Sequence, residues 1–129
     1  MNNEPNESAN ETTPAEAVEP APPPAWETLG LSDALLKAIK SRGYKHPTPV
    51  QAEAIPHALP GRDLIVRSKT GTGKTAAFMI PTLDRIPDGY GKAAAMVLCP
   101  TRELAVQISE EAKLLAAERT SGSCLCMGV

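Results

Sequence analysis

From Trp26 onward the apolar positions alternate between helical and strand-like spacing, with turn residues between the segments. Leu35, Leu36 and Ile39 share one side of a helix that Ser32 can cap and Gly43 can close. Thr48 and Pro49 open a second helix, the threonine as cap and the proline at the first helical position, with Val50 and Ile55 on its buried side. Asp63 to Arg67 reads as a short buried strand, and a glycine-bearing turn leads from it into a helix from Lys74 to Ile80. Pro81 is expected to kink or end that helix. Ala94 to Leu98 reads as a second strand, Thr101 caps a long amphipathic helix through about Glu118, and Ser123 to Val129 reads as a third strand. Strands alternating with helices make βαβ units, so the expected fold class is α/β, a parallel β-sheet flanked by helices.

Residues 1–25 break this texture. They hold no Leu, Ile or Phe but six of the chain's 13 prolines, too little apolar surface to offset the entropy of ordering. The expected organisation is therefore a disordered, acidic, Pro-rich tail over 1–25, open to protein partners, and one domain over 26–129. The tail carries five acidic residues and no Lys or Arg, which leaves the body with 13 basic against 10 acidic residues. That small basic excess permits a nucleic-acid partner without demanding one. The longest apolar run, Ala93 to Cys99, is far short of the roughly 20 residues that cross a bilayer, and no export signal opens the chain. An odd number of cysteines fits free thiols in a reducing compartment, so the expected location is cytoplasmic with no membrane partner. Cys124 and Cys126 lack a second Cys/His pair and read as strand residues rather than zinc ligands.

The turn before the third helix carries the clearest chemistry. Ser68-Lys69-Thr70-Gly71-Thr72-Gly73-Lys74-Thr75 departs from the phosphate-loop pattern G-x-x-x-x-G-K-[ST] only at its first position. Gly71 and Gly73 permit backbone conformations in which successive N–H groups converge on phosphate oxygens, and the following helix adds its positive end. Lys74 can then reach the terminal phosphates of a nucleotide, and the Thr75 hydroxyl can join the shell of Mg²⁺. The plainer alternative is a flexible glycine turn, and the flanking strand and helix weigh against it.

Three segments in order carry a resemblance: Gly43 to Gln51, Ser68 to Thr75, and Pro100 to Ala105. They resemble the Q motif, motif I and motif Ia of DEAD-box ATP-dependent RNA helicases, at that family's spacing. The family usually opens motif I with alanine, so Ser68 adds a hydroxyl, and Trp26 resembles a substitution of the isolated aromatic upstream of the Q motif. The resemblance implies a partial RecA-like P-loop domain that binds ATP, Mg²⁺ and RNA. It implies that Lys74 and Thr75 serve catalysis and that Ser68, Thr70, Gly71, Thr72, Gly73, Lys74 and Thr75 hold the phosphates, Thr75 also meeting the metal. Tyr44 would stack on adenine and Gln51 would hydrogen-bond its edge, while Pro100, Thr101 and Arg102 would grip the RNA backbone. For Gln51 the sequence also allows a capping box with Thr48, for Tyr44 packing against the first helix, and for Arg102 a surface pairing with Glu103.

Hydrolysis also needs an acidic residue on another strand, a water-positioning group and an arginine. The family supplies these through an Asp-Glu-Ala-Asp motif, a Ser-Ala-Thr motif and a second domain, none of which occurs before Val129. Glu110 and Glu111 read as a solvated acidic face rather than a replacement. The expectation is a helicase cut off within its first domain and itself nearly inactive, with an unpaired sheet edge. The alternatives are a non-catalytic P-loop nucleotide-binding module and a DNA helicase fragment.

Overall fold

The computed structural model describes residues 21–118. The third expected strand and most of the expected tail lie outside them. Trp26–Leu29 forms a 3-10 turn, followed by α1 (Asp33–Ser41), α2 (Pro49–Ala58), α3 (Lys74–Arg85) and α4 (Arg102–Ala116). α2 packs on α3, α3 on α4, α4 on α1, and the 3-10 turn on α2. One apolar cluster joins them, with Leu35 and Ile39 of α1, Ile55 of α2, Ile80 of α3 and Leu115 of α4 fully buried.

The helix starts follow local chemistry. Thr48 caps α2 with the reciprocal box, its hydroxyl accepting from the Gln51 N–H while the Gln51 side chain accepts from the Thr48 N–H, and Pro49 follows at the first helical position. Thr101 caps α4 by accepting from the Leu104 N–H at 3.2 Å. Ser32 stands at the cap of α1 but its hydroxyl goes elsewhere: with its own N–H it donates to the Asp84 carboxylate near the end of α3. That bond joins two elements far apart in sequence, at the expense of the expected local cap. Gly43 follows α1 in the left-handed conformation expected of a closing glycine.

Of the two outcomes expected at Pro81, an end to the helix does not occur: α3 continues to Arg85 with the proline buried inside it. An interior proline costs about 3 kcal/mol, and burial of Met79, Ile80 and Leu83 around it offsets that. More consequentially, no strand forms among the described residues, so the parallel sheet is not present there. A strand exists through hydrogen bonds to a neighbour, and segments 63–67 and 94–98 do not pair with each other. Their side chains still alternate with a period of two: Ile65 is 93% exposed between the half-covered Leu64 and Val66, and Met96 (82%) and Leu98 (83%) flank the half-covered Val97. Leu64 and Val66, with Ala94 and Ala95, help to line a hollow of about 1400 Å³.

Candidate nucleotide and nucleic-acid site

The hollow is also lined by Thr70, Gly71, Gly73, Lys74 and Thr75, and by Leu104, Gln107 and Ile108 of α4. It exceeds the roughly 300–1,000 Å³ of a small-molecule site.

α3 differs from its neighbours at its N-terminus. α2 and α4 begin under threonine caps, whereas α3 begins after Gly73, which has no side chain to offer its first N–H groups. These unmet donors, with the helix dipole, form an anion-accepting end. Gly71 and Gly73 have φ of 76° and 86°, the left-handed region that glycine enters freely. A Cβ at Gly73 would also collide with the Gln51 amide, so the position needs glycine for space as well as for angle. The loop closes on itself: Ser68 Oγ and Thr72 Oγ1 lie 2.7 Å apart, and Thr72 donates to the Lys69 carbonyl at 2.8 Å. Lys74 reaches back to the Ser68 carbonyl and, at 2.9 Å, to that of Lys69. Among the described residues its charge is met by backbone oxygens and not by a carboxylate. Among the described residues the half-buried Thr75 hydroxyl makes no hydrogen bond.

Gln51 is 5% exposed and both ends of its amide are engaged. Oε1 accepts from the Thr48 N–H at 3.0 Å, and Nε2 donates to the Gly73 carbonyl at 3.1 Å. The capping-box alternative is therefore correct as far as it goes, and the same side chain also joins α2 to the Ser68–Thr75 loop.

Tyr44 is directed toward α4. Its hydroxyl donates to Glu111, whose other oxygen accepts from Arg42 at 2.9 Å, and the Arg42 guanidinium lies 5.9 Å from the ring centroid. Trp26 packs at 6.3 Å from the ring and donates its indole N–H to the Tyr44 carbonyl at 3.0 Å. Burial, then the bond to Glu111, pushes the Tyr44 phenol above its ordinary value. Glu111 is the partner of the candidate site residue Tyr44 that sequence reasoning missed. It is not part of a solvated face but an anchor for two side chains from the segment before α2. Its spacing from Ile108 and Leu115 on the buried stripe of α4 was the available signal.

Pro100, Thr101 and Arg102 are exposed at the start of α4. The pairing of Arg102 with Glu103 does not form, and Arg102 has no ion-pair partner among the described residues. The same residues contain no cluster of His, Cys, Asp and Glu able to hold a metal, and no helix long and apolar enough to cross a membrane.

Residues 48–128 match the sequence profile of the DEAD/DEAH box helicases, well over half of the chain. The chain belongs to that family. The DEAD-box ATP-dependent RNA helicase CshA of Bacillus cereus is 53% identical over 86 residues, covering 67% of this chain and 16% of CshA. The ATP-dependent rRNA helicase rrp3 of Emericella nidulans is 46% identical over 110 residues, covering 85% and 24%. Among solved structures, the RNA helicase Prp28 of Chaetomium thermophilum bound to ADP superposes with a TM-score of 0.73 at 43% identity, over 85% of this chain and 28% of Prp28. Dbp5 of S. cerevisiae bound to RNA and ADP BeF3 gives 0.70 at 36% identity, over 73% and 25%. The chain thus spans about a sixth to a quarter of the curated DEAD-box relatives it matches.

Proposed function

We propose that this chain is the ATP- and RNA-binding opening part of an ATP-dependent RNA helicase, its 26–129 region belonging to an α/β RecA-like domain. The observation that carries the reading is the uncapped N-terminus of α3, preceded by two left-handed glycines and tied through Gly73 to the buried Gln51 amide. The N–H groups of the Ser68–Thr75 loop take the β- and γ-phosphates, and Lys74 moves from its carbonyl partners onto phosphate oxygens. Mg²⁺, when bound, offsets phosphate charge, with the Thr75 hydroxyl as its ligand from this chain. Gln51 keeps one amide N–H and one carbonyl lone pair beyond its two internal bonds, enough to meet an adenine edge. Tyr44 supplies an aromatic face for the base once Arg42 leaves the ring. Pro100, Thr101 and Arg102 hold the RNA sugar-phosphate backbone, for which an exposed guanidinium, without an ion-pair partner among the described residues and beside a helix N-terminus, is suited. Such contacts hold a strand without reading its sequence. The reading carries a cytoplasmic location, with the acidic tail available to protein partners.

The sequence has no Asp-Glu-Ala-Asp run, so the chain binds ATP without turning it over. Calorimetric titration tests this: saturable ATP binding at least about tenfold weaker in Lys74→Ala, where a compact cation facing the phosphates is lost, with phosphate release at background. Equal ATP affinity in Lys74→Ala would refute the pocket, and RNA-stimulated release by the chain would refute its inactivity.

A further inference from the structure

Ser68 adds a hydroxyl to a loop position where the resembled family usually has alanine, and the structure gives that hydroxyl a partner. Thr72 has one hydroxyl proton, and it is committed to the Lys69 carbonyl at 2.8 Å. In the 2.7 Å contact between the two hydroxyls the donor is therefore Ser68. The result is a directed relay, Ser68 O–H to Thr72 O–H to the Lys69 carbonyl, ending on an oxygen that also receives the Lys74 ammonium. Lys74 bonds the Ser68 carbonyl as well, so one residue feeds the relay through its side chain and holds the lysine through its backbone.

We propose that Ser68 is a positioning residue that latches the phosphate loop in a lysine-parked form and so lowers the chain's affinity for nucleoside polyphosphates. The inference rests on the phosphate-binding reading of the loop. For Lys74 to reach a phosphate it must leave the carbonyls of Ser68 and Lys69, and those two residues are the ones the hydroxyl relay pins. The relay also draws positions 68 and 72 together across the loop that must open around the ligand. Every bond present only in the parked form reduces the fraction of chains competent to bind, and apparent affinity falls by that fraction. The effect is confined to ligands whose phosphates need Lys74.

The full chain is titrated calorimetrically with ATP and with AMP in Mg²⁺ buffer, alongside Ser68→Ala, Ser68→Thr and Thr72→Val, with thermal melts confirming that each is folded. Ser68→Ala and Thr72→Val are expected to bind ATP about three- to tenfold more tightly, the range of one net hydrogen bond. AMP affinity stays put, Ser68→Thr returns to the starting value by keeping the hydroxyl, and the double variant is no tighter than either single one. Unchanged or weaker ATP binding in Ser68→Ala, or an equal gain for AMP, overturns the latch while leaving the phosphate loop standing. No saturable ATP binding in the unmodified chain or any variant removes both.

Discussion

Replacing Gln51 by Glu separates its two roles with a change of one atom. The amide orientation is fixed by its partners, since the Thr48 N–H requires an oxygen and the Gly73 carbonyl requires an N–H. Glutamate keeps the oxygen that faces Thr48 and serves a capping box equally well. On the other side it sets a carboxylate oxygen against the Gly73 carbonyl where the amide donor stood 3.1 Å away. Leaving that acceptor unmet costs about 1–3 kcal/mol, and a buried charge beside it costs more. The new carboxyl therefore takes up a proton more readily in the folded chain, its pKa rising above the roughly 4.3 of an unfolded glutamate. A group with a raised folded pKa leaves stability intact below its unfolded value and removes it as pH climbs through the folded value. At pH 7 a loss of at least about 1–3 kcal/mol corresponds to a melting point lower by about 4–24 °C or more for a domain near 100 residues. At pH 4 the protonated side chain can donate to Gly73 and most of the difference closes. Circular-dichroism melts of both chains at the two pH values, with ATP titration at pH 7, measure this. Equal melting points and equal ATP affinity at pH 7 would show that the Gln51 amide only caps α2.

Two further predictions concern α4. Leu115→Ala, at a fully buried position, is expected to lower stability by about 2–5 kcal/mol in a urea titration, and a loss under about 1 kcal/mol would mean that α4 does not pack on the core. Tyr44→Phe removes the hydroxyl bonded to Glu111 and the phenol's titration with it. Because burial and Glu111 raise the Tyr44 pKa, its contribution is complete below about pH 10 and is lost as pH rises through the folded value, so the Phe variant should be less stable at neutral pH but flatter on the alkaline limb. Superimposable alkaline unfolding curves by Trp26 fluorescence would contradict the bond.

The helices were legible because their signals are local. Thr48-Pro49-Val50-Gln51 contains its own cap, its first-turn proline and the partner of its box, and the structure uses all of them. Thr101 behaves likewise for α4. Where expectation and structure part, a distant partner decides. Asp84 takes the Ser32 hydroxyl across 52 positions, the core carries Pro81 into α3, and Glu111 collects Arg42 and Tyr44 from more than 60 positions away. The strands illustrate the limit most plainly. Their alternation is present in segments 63–67 and 94–98, but pairing requires a second backbone beside each, and neither supplies it for the other. The glycine-bearing loop from Ser68 to Thr75 was visible as a pattern of residue types, whereas its self-closure by Lys74 depends on carbonyl directions that no pattern encodes.

The bare apolar rows at Ile65, Met96 and Leu98 set practical terms for anyone handling this polypeptide. Unpaired backbone beside greasy side chains is the combination from which chains stack edge to edge, so concentrated stocks should grow turbid on warming well before the helices melt. Light scattering and a dye that brightens on apolar surface would register that stickiness at temperatures where far-ultraviolet ellipticity is still level. Charged replacements at Ile65 and Met96 should delay the turbidity without touching the helical signal.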